Sequence, residues 1–349
     1  MKPIPRIGLL GYGRFGAALA TLLEERGHRW CCWDPTARLP EAHAATGVDD
    51  LLAQSDLIIL AVPVGAFEAV LRDLKPRLQG RHQVMDVGSV KLIPCRLMDE
   101  VLGEEIGHVG CHPLFGPLSI ARAEPLRTVI CPSPRHPSTT RLARELFVSI
   151  GSEVDEQDPA RHDQHMALTH AMAFFIARGL LDLGVGDDLR WTPPSFAALA
   201  ASIAAVRADA GHLFHAIQRE NPYAAATRGR LVEALGNIDR QLTTLAARTD
   251  AVELDIPDSS LPSQAPGDTR ELIDELDLEL IALLQRRCEL SARASRARPV
   301  SSDAATLDAE CEAALLHERG RWAELSGLPA ESMQAVFRQV LDMSRHLQR

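Results

Sequence analysis

A glycine-rich turn near the start of the chain has the spacing of a dinucleotide-binding site. The run Gly11-Tyr12-Gly13-Arg14-Phe15-Gly16 follows the apolar stretch from Ile7 to Leu10 and opens an amphipathic segment. Glycines in this context let backbone amides approach a pyrophosphate at the positive end of a helix. The first chemistry that the sequence indicates is therefore the binding of a dinucleotide.

Asp34 indicates which dinucleotide is preferred. It ends the next apolar stretch, 23 residues after Gly11, where a carboxylate bonds the ribose hydroxyls and repels a 2′-phosphate. This favours NAD over NADP, although the guanidinium of Arg38 is near enough in sequence to pair with a 2′-phosphate. A later apolar segment ends in Val62 and Pro63, where strand ends line a cofactor crevice. The expected cofactor-binding residues are Gly11, Gly13, Arg14, Phe15, Gly16, Asp34, Val62 and Pro63.

Three further segments carry groups suited to proton transfer. One is the run Asp86-Val87-Gly88-Ser89-Val90-Lys91, and another is a predicted loop that contains His112 and Pro113. A neutral imidazole, with an ordinary pKa of about 6.5, acts as a base at neutral pH. Pro113 restricts the backbone of His112 to extended conformations. The third segment, from His162 to His170, is predicted to form one polar helical stripe.

The elements that position these groups follow from periodicity. Short apolar runs alternate with amphipathic stretches over residues 1–155, which predicts an α/β Rossmann-type domain with a parallel sheet. Alanine- and leucine-rich segments predict an all-α domain over residues 156–252. Prolines and serines in residues 253–267 are typical of a linker. Residues 268–349 then predict a separate unit of three helices.

Together these motifs resemble those of the prephenate dehydrogenases. That family carries a D-x-G-S-x-K loop and a G-x-H-P-M-F-G-P-like loop behind the glycine motif, and the likeness covers about residues 6–250. It implies that His112 accepts the proton of the substrate's 4-hydroxyl as hydride leaves the same carbon for NAD. It also implies that Ser89 aligns the hydroxyl with the imidazole, that His170 contacts substrate, and that the all-α domain forms a dimer.

The chain departs from this family at one position that matters. An arginine that clamps a substrate carboxylate usually lies in the segment that here spans residues 196–205, which contains none. Alanine cannot replace the bidentate geometry of a guanidinium. Arg207, Arg190 or an arginine of a partner subunit are the candidates to replace it. The alternatives left open are prephenate with a relocated clamp, arogenate or 4-amino-4-deoxyprephenate as substrate, and a weakened dehydrogenase.

Residues 268–349 resemble the all-α chorismate mutases. Arg287 and Arg298 are 11 residues apart and share one helix face, whereas Arg270 is rotated from Arg287 by about 100°. The resemblance implies two interlocked chains, with each site completed by the first arginine of the partner. Departures are Ala309, where arginine is common, and a loop at residues 301–306 without the usual aspartate spacing. The matching site residues are Arg270, Arg287, Arg298, Glu310, Ser344 and Gln348.

Composition excludes several other classes. A formal net charge of −10 argues against a general nucleic-acid or anionic-membrane surface. The seven cysteines show neither metal-ligand spacing nor a disulfide framework, so we expect no metal site and a reducing cytoplasm. The first residues leave no room for a signal peptide, and no apolar run approaches the roughly 18 residues of a membrane span.

The sequence thus predicts a bifunctional cytoplasmic homodimer of tyrosine biosynthesis. Its C-terminal domain would convert chorismate to prephenate, and its N-terminal part would oxidise and decarboxylate prephenate to 4-hydroxyphenylpyruvate with NAD. The rival hypothesis is a dehydrogenase for arogenate or 4-amino-4-deoxyprephenate, followed by a helical tail that only dimerises or binds an effector.

Overall fold

A computed structural model describes residues 4–185, 192–209, 212–246, 269–296 and 304–346 of the 349-residue chain. It divides into two compact units. The first unit comprises Met1–Ile120 with Pro125–Glu253, and the second comprises Ala121–Glu124 with Leu254–Arg349. The predicted linker at 253–267 lies outside the described residues.

The first unit is built on a seven-stranded sheet. Its strand order is β2-β1-β3-β4-β5-β6-β7. The central strands are short apolar runs because both of their faces are covered. Ile7, Leu9 and Ile59 face one hydrophobic core, and Ile58 and Leu60 face the other. The strands are β1 (Ile7–Leu10), β2 (Trp30–Trp33), β3 (Leu57–Leu60), β4 (Gln83–Asp86), β5 (Gly107–Pro113), β6 (Leu126–Cys131) and β7 (Ser152–Glu156).

The predicted Rossmann-type parallel sheet is confirmed by the first five strands, which pair in parallel. The pairing of β5 with β6 is antiparallel, and it opposes His112 to Val129 and Pro113 to Thr128. The prediction of a loop around His112 was wrong, since His112 and Pro113 are the last two residues of a buried strand. Pro113 lies beyond Gly110, the last residue of β5 that pairs with β4, so on that side it is at an edge, where a proline without an N–H is tolerated.

Eleven α-helices in the described part of the first unit surround and extend this sheet. They are α1 (Arg14–Glu25), α2 (Val48–Gln54), α3 (Val64–Leu74), α4 (Leu92–Val101), α5 (Pro117–Ala121), α6 (Pro137–Ser149), α7 (Pro159–Leu168), α8 (His170–Asp182), α9 (Ala197–Asp209), α10 (His212–Arg219) and α11 (Ala224–Ala246). The helices after β7 have their own hydrophobic core, which includes Phe174, Ile203 and Ile217.

The sequence predicted one continuous helix from His162 to His170, and this prediction was wrong because the segment is divided between two helices. Helix α7 ends at Leu168 and α8 begins at His170, because Thr169 has φ −110° and ψ −77°. Its hydroxyl donates to the carbonyl oxygen of His165 at 2.8 Å, which supports the end of α7.

The second unit contains three long helices in its described part, close to the predicted spans. They are α12 (Thr269–Arg296), α13 (Ala304–Leu325) and α14 (Ala330–His346). Gly327, with φ +73°, allows the turn after α13, where the N–H of Leu328 bonds to the carbonyl oxygen of Ala323 at 2.9 Å. This is the usual glycine termination of a helix, and Pro329 then precedes α14.

None of the helices in the described ranges combines the length and the apolar character that crossing a membrane requires.

Candidate active site

The three glycines of the turn between β1 and α1 have different roles. Gly11 has φ +105°, and a Cβ there would lie 2.4 Å from the carbonyl oxygen of Ala61. A Cβ on Gly16 would lie 2.3 Å from the carbonyl oxygen of Gly11, whereas one on Gly13 would meet nothing within 4 Å. The first and third glycines are therefore required by packing, and the second borders the open space that a pyrophosphate needs.

The start of α1 can serve as an anion site. Gly13 occupies the cap position without a side-chain cap, and the first turn has no acidic residue. The free amides and the helix dipole at such an end favour a phosphate. Arg14 is exposed beside them, and Phe15 packs at 6.1 Å, between ring centroids, against Phe115. These residues fit the dinucleotide predicted from the sequence.

Asp34 is fixed as an ionised carboxylate just beyond β2. It accepts hydrogen bonds from the N–H groups of Tyr12 at 2.8 Å, Thr36 at 2.8 Å and Ala37 at 2.9 Å. Burial alone would raise the pKa of Asp34, but these bonds outweigh it and lower the pKa. Since Tyr12 belongs to the glycine turn, the same carboxylate ties the end of β2 to the expected pyrophosphate site.

The other expected cofactor-binding residues border this turn. Val62 is half-buried and Pro63 is exposed directly after β3, and Pro63 caps α3 without a side-chain hydrogen bond. Arg38 is exposed after Asp34. A 2′-phosphate therefore has a candidate cation nearby, and the prediction of NAD rests on the Asp34 carboxylate.

A buried ion pair lies under the site, between Lys91 and Asp86. The side chains are 0% and 2% exposed, respectively. The Lys91 ammonium also donates to the carbonyl oxygen of Cys111 at 2.6 Å, next to His112 in β5. Burial opposes the charge on Lys91, but the Asp86 carboxylate outweighs it and raises the pKa of the ammonium. Lys91 thus links β4 to β5 through two hydrogen bonds.

His112 is the first member of a buried line of three side chains. Its Nδ1 lies 2.8 Å from Nε2 of His162, and Nδ1 of His162 lies 2.8 Å from Oδ1 of Asp163. Asp163 also accepts the N–H groups of Lys91 at 2.8 Å and Leu92 at 2.9 Å. Helix α7 is thereby joined to the segment that follows β4.

The surroundings of His112 keep its imidazole neutral. Burial is the main cause that lowers its pKa well below the ordinary value, and the electrostatic effect of the nearby His162, Lys91 and His170 lowers it further. The ring of His170 stacks at 6.2 Å from that of His112, between centroids, and lies edge-to-face with Phe174 at 4.9 Å. A neutral imidazole at this position can accept a proton at neutral pH.

Ser89 lies half-buried in the turn after β4. No hydrogen bond joins it to His112 within the ranges that the structure describes, so its aligning role stays a prediction. The same ranges contain no group of three or more histidine, cysteine or acidic side chains placed to hold a metal ion.

In the second unit, two predicted site residues from different helices meet. Nη1 of Arg287 donates to the Ser344 hydroxyl at 2.9 Å, and that hydroxyl donates to the carbonyl oxygen of Val340 at 2.9 Å. Arg270 is exposed in the first turn of α12. Glu310 lies in α13, but its side chain is outside the described part. Arg298 and Gln348 are also outside it.

Comparison with known families supports both resemblances. Residues 39–151 match the prephenate dehydrogenase nucleotide-binding domain, and residues 269–349 match chorismate mutase type II. Residues 5–68 also match the NAD binding domain of D-isomer specific 2-hydroxyacid dehydrogenases. The chain joins a prephenate dehydrogenase nucleotide-binding domain to a type II chorismate mutase domain. The glycine turn and Asp34 accordingly belong to an NAD-binding fold.

Individual relatives resemble one part or the other. A 4-amino-4-deoxyprephenate dehydrogenase of Streptomyces pristinaespiralis is 30% identical over 203 residues, which is 56% of this chain and 65% of the relative. An isochorismate pyruvate lyase of Pseudomonas aeruginosa is 42% identical over 75 residues, which is 22% of this chain and 72% of the relative. The chain spans 39 to 65% of the length of the first curated dehydrogenase relatives.

The fold also agrees with a solved structure. The prephenate dehydrogenase of A. aeolicus, crystallised with hydroxyphenyl propionate and NAD+, superposes with a TM-score of 0.54 at 17% identity. The match covers 79% of this chain and 97% of that chain.

Several residues of the dehydrogenase site were not assigned from the sequence alone. Asp86 and Lys91 were noted as parts of a motif, and His162 and Asp163 as parts of a helical stripe, but their burial was not foreseen. The signal available was a His-Asp pair at the start of a helix together with a lysine five residues after an aspartate. Of the candidates for the missing clamp, Arg207 is exposed on the last turn of α9, and Arg190 lies outside the described residues.

The glycine turn generates a matched pair of variants. G13A places a methyl group in open space at φ −70° and ψ −167°, so the free energy of unfolding should change by less than about 0.5 kcal/mol. NADH binding should weaken by about tenfold or more, because the methyl group occupies phosphate space. G16A forces a backbone shift and should destabilise by about 1–3 kcal/mol. Thermal unfolding and NADH fluorescence titration measure both effects, and unimpaired NADH binding by G13A would contradict this assignment.

The buried ion pair generates a second prediction. K91M leaves the Asp86 carboxylate buried without its partner, which should cost about 3–5 kcal/mol of unfolding free energy. K75M is the matched control, since Lys75 pairs with an 81% exposed Glu105 and such pairs contribute about 0–1 kcal/mol. Urea unfolding followed by tryptophan fluorescence compares the two. Equal losses of unfolding free energy in K91M and K75M would show that the buried pair stabilises the protein no more than the exposed one.

Proposed function

We propose that this chain is a bifunctional enzyme of tyrosine biosynthesis. The mutase domain converts chorismate to prephenate, and the dehydrogenase part converts prephenate to 4-hydroxyphenylpyruvate, carbon dioxide and NADH. The observation that carries the proposal is a buried, neutral His112 in the same unit as a glycine turn that fits NAD, in a chain whose residues 269–349 match chorismate mutase. We place its work in the cytoplasm, consistent with free cysteines in the described part.

Different residues of the amino-terminal part bind different groups of NAD. The amides at the start of α1 and the open space at Gly13 accept the pyrophosphate, and Asp34 accepts the ribose hydroxyls. Arg14, Phe15, Val62 and Pro63 border the same turn. When bound, NAD supplies the hydride acceptor of the reaction.

His112 serves as the base for the dehydrogenase reaction. Its free ring nitrogen accepts the proton of the 4-hydroxyl, which allows hydride to leave the same carbon of prephenate. The ring carboxylate then leaves as carbon dioxide, and formation of the aromatic ring drives the reaction. Ser89 aligns the hydroxyl with His112, and His170, stacked against the imidazole, contacts the substrate.

The mutase reaction needs a shaped and charged pocket rather than a base. Arg270 and Arg287 hold the two carboxylates of chorismate, and Arg298 with Gln348 stabilises the charge that develops at the ether oxygen. Glu310 and Ser344 complete the site. The hydrogen bond from Arg287 to Ser344 supports this grouping, because it fixes the guanidinium between α12 and α14.

The homodimer is supported by two exposed apolar stripes. On α12, the residues Ile273, Leu276, Leu280 and Leu283 follow a 3-4-3 spacing and are 52 to 62% exposed. On α11, the residues Val232, Leu235, Ile238 and Leu242 are 47 to 56% exposed. Apolar residues at such spacing pack against a second helix in coiled coils and bundles. A second copy of the chain would cover both stripes and bring a second Arg270 to each mutase site.

A second candidate is dehydrogenation of 4-amino-4-deoxyprephenate, with a tail that dimerises without catalysis. The observation that favours it is the 30% identity to a dehydrogenase named for that substrate. The alanine-rich segment where a clamping arginine is usual agrees with it. For the C-terminal domain, the lyase relative adds isochorismate as a substrate to be tested.

Supplying substrates one at a time tests the proposal. Chorismate with NAD should be consumed and yield NADH, and prephenate with NAD should also yield NADH. H112N should abolish NADH formation from both while chorismate is still consumed, and R287A should abolish NADH formation from chorismate alone. NADH from 4-amino-4-deoxyprephenate but not from prephenate would favour the second candidate. If chorismate is not consumed, the tail has no mutase activity.

The dimer gives a separate prediction. Light scattering should give twice the chain mass of 38.1 kDa. L235E with I238E puts two charges into the α11 stripe, and L276E with L280E does the same on α12, so both changes together should give monomers. N237E adds a charge to the opposite face of α11 and should leave the dimer intact. A wild-type monomer would contradict the proposal.

A further inference from the structure

Two hydrogen bonds join the side chains of His112, His162 and Asp163 into one continuous line. The rings of His112 and His162 are 5.0 Å apart between centroids and inclined at 78°. His162 and Asp163 are 0% exposed and His112 is 3% exposed. These side chains are therefore closed to bulk solvent, and the protons of the line are assigned from the side chains themselves.

The donors around Asp163 fix the direction of the line. Both carboxylate oxygens accept backbone N–H groups, Oδ1 from Lys91 and Oδ2 from Leu92. A carboxylate group whose two oxygens both receive N–H groups acts as an acceptor in this line. The Nδ1 of His162, at 2.8 Å from Oδ1, must then be the donor of its hydrogen bond.

The consequence passes to His112. A neutral His162 that carries its proton on Nδ1 has a bare Nε2, which can only accept. The Nδ1 of His112, at 2.8 Å from that atom, must therefore carry the proton. His112 is left with its lone pair on Nε2, which is the nitrogen available to a substrate.

We propose that His162 and Asp163 are positioning residues that hold His112 in the tautomer with a basic Nε2, and that His162 takes over a proton during turnover. This rests on the proposed dehydrogenase function. When Nε2 of His112 accepts the substrate's hydroxyl proton, Nδ1 passes its own proton to Nε2 of His162. The new positive charge then lies beside the Asp163 carboxylate, and the proton returns along the same line to the ring oxygen, which decarboxylation has turned into a phenolate.

The surrounding charges explain why such a transfer is useful. Lys91 and His170 also lie near His112, which is 3% exposed, so an imidazolium held there would meet like charges with little solvent to screen them. Moving the charge one residue further places it next to an ionised partner. The same arrangement of an aspartate behind a histidine orients the base in serine hydrolases.

The test reads the tautomer directly. Nitrogen NMR of the full chain labelled with ¹⁵N-histidine, with H112N used for assignment, should show a protonated Nδ1 and a bare Nε2 for His112. D163N presents an amide that can donate to His162, which should invert both tautomers. The kcat for NADH formation from prephenate should then fall by about 100-fold or more, with KM changed by less than about threefold.

Matched variants separate positioning from structure. D99N alters a histidine–aspartate pair away from the site, in which Nε2 of the buried His108 lies 3.0 Å from the partly exposed Asp99, and should leave kcat and the His112 tautomer unchanged. H162Q keeps an acceptor towards His112 and a donor towards Asp163, whereas H162L has neither. H162Q should therefore retain the His112 tautomer and at least about tenfold more kcat than H162L. Because H162Q leaves Asp163 in place, it carries the test if D163N does not fold.

Two results would overturn the inference. One is a wild-type His112 with its proton on Nε2, and the other is a folded D163N or H162L with wild-type kcat. The NMR result needs no substrate, so it stands or falls separately from the proposed function. The expected tautomer in a chain that leaves prephenate unreacted would refute the function and leave the tautomer assignment correct.

Discussion

The buried carboxylate of Asp163 is the point through which the helical part of the first unit is joined to its sheet. It accepts the N–H groups of Lys91 and Leu92 from the segment after β4, and the backbone carbonyl of the same residue accepts the Asn221 amide at 2.7 Å. An ionised group without partners would be very costly in a site closed to water. The carboxylate and its donors can therefore be buried only together. This requirement fixes α7 against the start of α4.

The positions of the other polar groups follow from this junction. With its backbone held by Asp163, Lys91 reaches Asp86 at the end of β4 and the carbonyl oxygen of Cys111 in β5. The next residue of β5 is His112, so the base is set by a strand that the ion pair anchors. Asp86 is paired with Lys91 and Asp163 with His162, and burial lowers the pKa of the His112 imidazole beside them.

Local sequence patterns predicted the elements that are made of uniformly apolar residues or of regularly spaced glycines. Four-residue apolar strands and the glycine turn were readable because burial on both faces requires continuous apolar runs. Strand β5 was not, since Gly107, Gly110 and Pro113 are typical of loops and only the pairing with β6 makes them a strand. The break at Thr169 has no glycine or proline to mark it. Burial of Lys91 depends on Asp86 and Asp163, and the contact with Asp163 spans 72 residues, a distance over which periodicity carries no information.

The missing arginine is best understood through the total charge of the site and its substrate. Prephenate carries two carboxylates, and a clamping guanidinium neutralises one of them. In the described part of the first unit, Lys91 is already paired with Asp86, and Arg228 donates to Gln218 and lies over Phe175. If the site has one guanidinium fewer and the substrate has one ammonium more, the total charge of site and substrate is the same as for prephenate bound to a site with the clamping arginine. With prephenate as substrate, which has no ammonium, the same balance requires a cation from outside residues 196–205, either from elsewhere in the chain or from a second copy of it.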